Sequence, residues 1–251
     1  MRFASLGSGS KGNATLVECG DTCLLVDCGF SIRETVKRLA RLERTPEQLS
    51  AILVTHEHGD HLKGVMPLSR RYKIPVYLTA GTARAGKVDE QAVNLIEGEQ
   101  ALNIGELEVQ PVAVPHDARE PVQYLFRSDR HCLGVLTDLG SVTPHVVESY
   151  RSCDALLLEA NHDLQMLASG PYPQSLKRRV SSHWGHLNNI QCADLLSQVE
   201  RDRLQHLVLG HISLKNNAIE KVQEAVSSLV SEIKEVHYAC QDEGFGWLQL
   251  V

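Results

Sequence analysis

Seven residues, Thr55-His56-Glu57-His58-Gly59-Asp60-His61, carry the clearest chemical message in this 251-residue chain. They follow directly on the apolar run Ala51–Val54, and the last six of them hold three histidines and two carboxylates. Neutral imidazole and carboxylate are the ligands of zinc, manganese and iron. In a loop, His56 and His58, at i and i+2, can turn to one cation. Asp60 and His61 then open the next helix and can face a second cation close by. The alternative is a solvated polar loop. It would crowd titratable groups together with no charge to organise them, so the sequence favours a metal site.

Working outward, the other histidine and aspartate candidates obey one rule: each lies just past the C-terminal end of an apolar run. VAVP (112–115) precedes His116-Asp117, LGVLT (133–137) precedes Asp138, LLLEA (156–160) precedes Asn161-His162, and HLVLG (206–210) precedes His211. Strand ends on one edge of a sheet are where α/β folds gather their ligands. Alone, His116 or His211 reads as an ordinary loop histidine; their shared placement turns the reading toward a site. Asp138 precedes Leu139-Gly140 and fits a turn, but a carboxylate can also bridge two metals through its two oxygens.

The rest of the chain alternates short β-type runs with helical patterns. Strands are predicted at 1–6, 13–19, 22–28, 51–55, 155–160 and 206–210, with others between and two near the C-terminus. Helices are predicted from the Ser31 N-cap to about Leu42, from about Asp60 to Tyr72, and near 173–180, 188–199 and 216–230. Strands first, then β-α alternation, repeated in each half, implies an α/β protein with two sheets sandwiched between helices, as one domain over residues 1–251.

Composition narrows the function. Apolar residues are 43% and charged residues 22%, which excludes disordered, collagenous and coiled-coil classes. The apolar runs are far shorter than the roughly 20 residues a membrane span needs. No apolar signal-like segment opens the sequence, so a cytoplasmic protein with no membrane partner is expected. Seven cysteines, an odd number without a CxxC pair, read as reduced thiols. A net charge of −6 excludes a generally basic nucleic-acid wrapper, so any polyanion must be met locally.

At these residues the chain resembles the metallo-β-lactamase superfamily, whose signature HxHxDH is His56, His58, Asp60 and His61 here. Within it the chain is similar to the WalJ (YycJ) group, on the strings SLGSGSKGNATLVE (5–18), THEHGDH (55–61), VPHDA (114–118), LEANHD (158–163), GHLNN (185–189) and LGHISLKNN (209–217). Asn188 and Ile212 depart from that group's pattern without touching a proposed ligand. The resemblance implies a four-layered αββα sandwich and a DNA 5′→3′ exonuclease. It implies two divalent ions, zinc first, with manganese or iron as alternatives. His56, His58 and His116 would hold one ion, Asp60, His61 and His211 the other, and Asp138 would bridge them. Asp27, at the end of LLVD, would orient a ligand, although a strand-end cap is an equal reading. Only 72 residues separate Asp138 from His211 and 40 follow His211, so the inserted domain of the RNase J-like nucleases and the helical domain of glyoxalase II are not expected.

A phosphodiester hydrolase of this kind is expected to use a metal-bridging hydroxide, oriented by Asp60, and a general acid for the leaving oxygen. His186 is the first choice of acid, with His183 and His162 as alternatives; His162 and His183 also fit supporting positions beside the centre. Lys177, Arg178 and Arg179 lie just upstream and are the candidates for substrate phosphate contact. The early loop Gly7–Asn13 reads either as an anion-binding nest or as a permissive hairpin turn. A DNA 5′ end is the expected partner. The alternatives are a small or cyclic phosphodiester, and a non-catalytic regulatory module that keeps its metals.

Overall fold

The computed structural model describes residues 1–251. In the first half, β1 (Arg2–Gly7), β2 (Ala14–Cys19) and β3 (Thr22–Val26) form an antiparallel meander. Helix α1 (Ile32–Arg41) then crosses to β4 (Ala51–Leu53), opened by the Ser31 hydroxyl, which accepts the Glu34 amide. Helices α2 (Gly59–Leu62) and α3 (Val65–Tyr72) lead to β5 (Val76–Thr79), and α4 (Ala80–Ala85) to β6 (Asn94–Ile96). The strand order of this sheet is β6-β5-β4-β3-β2-β1, with β3 to β6 parallel.

The second half repeats the plan. Strands β7 (Leu102–Ile104), β8 (Leu107–Ala113), β9 (Val122–Arg127) and β10 (Cys132–Leu136) are antiparallel. After α5 (Pro144–Tyr150) comes β11 (Ala155–Glu159); after α6 (Leu164–Ser169), α7 (Gln174–Val180) and α8 (Asn189–Ser197) comes β12 (His206–Gly210); after α9 (Ile219–Val226) comes β13 (Glu235–Tyr238). Strands β10 to β13 are parallel. The last strand, β14 (Phe245–Gln249), returns to pair with β1, giving two mixed seven-stranded sheets.

Three apolar cores separate the layers, which makes the architecture αββα. Twenty buried residues, including Leu24, Val26, Val135, Leu157 and Val208, fill the space between the sheets. Alternate residues of the same strands point outward: Leu25 packs under α1 and α3, Leu156 and Leu207 under α5, α8 and α9. Buried on both faces, the parallel strands read as continuous apolar runs, which is why ALLL and HLVLG were legible.

Register brings the site together. Val26 pairs with Leu53, Leu136 with Leu158, and Glu159 with Gly210, so Asp27, the 55–61 loop, Asp138 and His211 leave their sheets at one edge. Asp27, Asp138 and His211 hold left-handed backbone there, with φ of 60°, 58° and 54°. Such conformations cost of the order of 1–3 kcal/mol each. They are sustained because the surrounding core contributes roughly 1.5–3 kcal/mol per buried aliphatic side chain.

The structure departs from the expected elements in four places. The helix predicted over 60–72 is two helices, broken at Gly64. A Cβ there would stand 1.9 Å from the Phe30 carbonyl oxygen, and the Gly64 amide donates to the Cys28 carbonyl at 2.7 Å. Strands β3 and β4 stop at Val26 and Leu53 rather than at residues 28 and 55, where the chain turns at left-handed Asp27 and into the histidine loop. Helix α9 spans 219–226 rather than 216–230; before its start the Asn217 side-chain amide donates to Ala160 O and Asn189 Oδ1. Strand β7 and helices α4, α5 and α6 are additional; each is seven residues or fewer, too short for a clear period. No helix is long and apolar enough to cross a membrane.

Candidate metal centre

Asp27 anchors the histidine loop. Its two oxygens accept the Thr55 amide and the Thr55 hydroxyl, both at 2.8 Å, and Oδ2 also accepts from His61 Nδ1 at 2.7 Å. Because the Thr55 hydroxyl hydrogen is committed to Asp27, its oxygen accepts from His56 Nδ1 at 2.9 Å. His116 Nδ1 faces the Gly185 carbonyl at 2.9 Å. A carbonyl or carboxylate only accepts, so each of these rings carries its proton on Nδ1. The lone pairs of His56, His61 and His116 therefore sit on Nε2. This is how a protein aims imidazole at a cation.

Those lone pairs converge. His116 Nε2 lies 3.3 Å from His58 Nδ1, and His61 Nε2 lies 3.2 Å from Asp138 Oδ2 and 3.6 Å from Asp60 Oδ2. His56 Nε2, Asp138 Oδ2 and His211 Nδ1 are buried with no hydrogen-bond partner. Buried polar atoms without partners are costly and rare. Three in one cluster of imidazoles and carboxylates fit divalent cations, and three overlapping groups of donors are close enough to act together: His56, His58, His116; His56, His61, Asp138; and Asp138, Glu159, His186, His211, with Asp60 in none of them. Burial and the neighbouring His61 hold His56 well below its usual pKa, and burial lowers His116, so both stay neutral as metal ligation requires.

A second carboxylate cluster stands beside the first. Fully buried Glu159 accepts the amides of Leu139 at 2.9 Å and Leu187 at 3.1 Å on Oε2. Its Oε1 lies 2.7 Å from His186 Nδ1 and 3.1 Å from His211 Nδ1. Burial alone would depress the His186 pKa; the Glu159 carboxylate overrides it and raises it. Against the same burial, the Asp138 and Glu159 carboxylates bring His211 up to about 10, so a cation that took up His211 would displace its proton. Glu159 itself is held near 2 against its burial, chiefly by His186.

A cleft of about 410 Å³ opens over these groups, lined among others by Ser10, His58, Asp60, Asp117, Asp138, Tyr172, Arg179, His186 and His211. Of the basic run, Arg179 reaches the cleft and is tied to Asp117 by a short ion pair. Lys177 instead donates to the Ala168 carbonyl at 2.6 Å, and Lys177 and Arg178 do not line the cleft. His183 is exposed on the turn before Gly185 and lies outside the cleft. His162 is completely buried, with neither ring nitrogen partnered, and burial lowers its pKa to about 4. It belongs to none of these donor groups. Glu57, inside the histidine loop, turns away and accepts the Arg119 amide at 2.7 Å.

The Gly-rich early loop is a brace. Its amides are already bonded: Gly9 to Asn13 Oδ1 at 2.7 Å, Lys11 to Gln241 Oε1 at 2.6 Å, and Gly12 to Gly9 O at 3.0 Å. Ser8 Oγ accepts the His211 amide at 2.8 Å, and Asn13 Nδ2 lies 3.0 Å from His61 Nε2. Glu159, Thr55, Ser8 and Asn13 have no individual role legible in the sequence, although Thr55 opens the histidine loop, Ser8 and Asn13 lie in the Gly-rich loop, and Glu159 is a lone charge closing the apolar run Ala155–Leu158.

Comparison with known proteins agrees with this architecture. Residues 22–212 match the family described as the beta-lactamase superfamily domain. The chain is 36% identical to exodeoxyribonuclease YycJ of Bacillus anthracis, covering 92% of this chain and 90% of that one. It is 37% identical to exodeoxyribonuclease WalJ of Streptococcus pneumoniae, covering 88% and 84%. The crystal structure of the metallo-β-lactamase-fold protein YhfI from Bacillus subtilis superposes with a TM-score of 0.75 over 99% of both chains, at 18% identity. The chain therefore belongs to the metallo-β-lactamase-fold superfamily, with the YycJ and WalJ exodeoxyribonucleases as close kin, and is a metal-dependent hydrolase.

Proposed function

We propose that this chain cleaves phosphodiester bonds of DNA, removing nucleotides from a 5′ end, with two divalent ions. The observation that carries the reading is the pair of buried Glu159 and cleft-lining His186, 2.7 Å apart, beside a set of lone-pair donors. The relatives named exodeoxyribonucleases support DNA as the substrate. His56, His58 and His116 would hold one ion; Asp60, His61 and His211 the other; Asp138 would face both. Zinc suits this nitrogen-rich set best, with manganese or iron as alternatives. When bound, the ions supply charge for the phosphoryl oxygens and an acidified water.

The protein's own residues do the rest. Asp27 fixes the proton of His61 on Nδ1 and keeps Nε2 free. Asp60, at the start of α2 on the cleft wall, orients the attacking water. His186 stays protonated through Glu159 and gives its Nε2 proton to the departing 3′ oxygen, leaving a neutral imidazole whose Nδ1–H still donates to Glu159. Arg179, steadied by Asp117, meets the phosphate next to the scissile one. A second reading, a small phosphodiester substrate, is favoured by two features: Asp117 neutralises the arginine of the cleft, and the chain carries −6 overall.

End-labelled DNA with Mn²⁺ or Zn²⁺, run beside bis-p-nitrophenyl phosphate, separates these readings. Release of mononucleotides from the 5′ label first is expected. Turnover of the small ester with DNA left intact would favour the second reading, and activity on neither would favour a regulatory module.

A further inference from the structure

At the opposite edge of the sandwich, the first residues of β12 and β13 bring His206, Glu235 and His237 together. His206 pairs in register with Glu235, and Val208 with His237, so the three side chains share one face. It is the face that Val208 turns into the space between the sheets. Here that space is open at its side: β13 ends one sheet and β14 ends the other. We propose that these residues form a separate binding site for a zinc-type divalent ion, remote from the cleft.

The argument begins with a proton. His206 Nε2 lies 3.0 Å from the Gln249 carbonyl of β14, which can only accept, so the proton sits on Nε2 and the lone pair on Nδ1. His206 is buried, and this Nδ1 has no hydrogen-bond partner. Glu235 Oε2 is 3.3 Å from it, and 3.2 Å from His237 Nε2. A tetrahedral ion with bonds of about 2.0–2.1 Å places neighbouring ligand atoms about 3.3–3.4 Å apart. Glu235 Oε2 stands near that spacing from both imidazole nitrogens, and one ligand atom from each of the three residues lies within 4.8 Å of the others, a zinc-type donor set with one position left for water. Glu235 and His237 are accessible enough to admit an ion without opening the core. The ion would clamp the edge strand β13 to β12, and through the His206–Gln249 bond to β14. It would thereby close the side of the sandwich and cover an unpaired sheet edge.

Equilibrium dialysis against a series of zinc buffers, read by elemental analysis, tests this on wild type, His237→Ala and Glu235→Gln. Both side chains are partly exposed, so neither change should disturb folding, which circular dichroism checks. Wild type should bind one equivalent more than either variant, whatever the cleft itself holds. Zinc should also raise the thermal midpoint of wild type by more than that of His237→Ala, with hydrolysis equal in all three. Identical stoichiometry in wild type and His237→Ala, or a common midpoint shift, would overturn the site.

Discussion

Glu159 Oε1 and His186 Nδ1 stand 2.7 Å apart at the floor of the cleft, while the other oxygen of Glu159 takes two backbone amides. A carboxylate so fully occupied cannot rotate. It sets both the orientation of the imidazole and its affinity for a proton. Glu159→Gln keeps the amide acceptor but turns an NH₂ toward His186, which must then accept on Nδ1 and lose the anion that keeps it charged. DNA hydrolysis should fall about 10²–10³-fold, and the alkaline limb of the pH–rate profile should move to lower pH, within the range general acids span. An unmoved profile would mean that Glu159 only packs.

The general acid is separable from its neighbours by leaving group. A nucleoside 3′ oxygen departs badly without a proton, whereas p-nitrophenolate needs none. His186→Ala should cost about 10²–10⁴-fold on DNA and much less on bis-p-nitrophenyl phosphate, with metal content unchanged. His183→Ala, an exposed change outside the cleft, should leave both rates alone. If His183 instead shows the leaving-group-dependent loss, the roles are reversed.

Asp138 and Asp27 differ in what they touch. Both have left-handed backbone, so asparagine, which tolerates that region, is the informative replacement. Asp138→Asn removes the charge shared by two donor groups, the one with His56 and His61 and the one with His186 and His211, and should deplete both ions. Asp27→Asn instead puts an NH₂ against His61 Nδ1 and flips its proton to Nε2, which should weaken one ion by about 10–100-fold and spare the other. Metal content and titration of the two purified variants read the difference directly; equal depletion would merge the two roles.

How much of this was legible depends on range. The 55–61 loop and the strand-end rule pointed to His116, Asp138 and His211, which the fold brings into overlapping clusters, because residues at strand termini follow apolar runs that stand out in one dimension. The left-handed backbone at those positions was not legible, since it is imposed by packing and register. Glu159 hides for a related reason. A single charge at the end of a buried strand looks like a boundary until His186, 27 residues on, is folded against it. The basic run 177–179 read as one unit, yet a seven-residue helix turns Arg179 to the cleft and Lys177 to the Ala168 carbonyl.

That division gives a salt test. Arg179→Ala should weaken DNA binding and flatten the log–log salt dependence by about 0.7–0.9 per lost phosphate contact. Lys177→Ala and Arg178→Ala, changes outside the cleft, should leave the slope as it is. Binding measured by fluorescence anisotropy between low and moderate salt checks this. A slope that responds to Lys177 or Arg178 instead would place the strand along the outer face of α7.

His162 makes the last expectation one of stability. It is completely buried, neither ring nitrogen has a partner, and its folded pKa is near 4 against about 6.5 when unfolded. In that interval the unfolded chain binds a proton that the native state refuses. Stability is therefore fullest above pH 6.5 and declines as pH falls toward 4, by up to about 3 kcal/mol from this residue alone. Below the folded pKa the penalty stays constant. His162→Gln removes the titration while keeping a polar side chain of similar reach, so its unfolding free energy in urea should vary less between pH 7 and 4.5 than that of wild type. The carboxylate–imidazole groups of the centre titrate in both proteins and cancel in the comparison. Parallel pH dependences for wild type and variant would show that His162 takes up its proton in the folded state, and that its ring has found a partner.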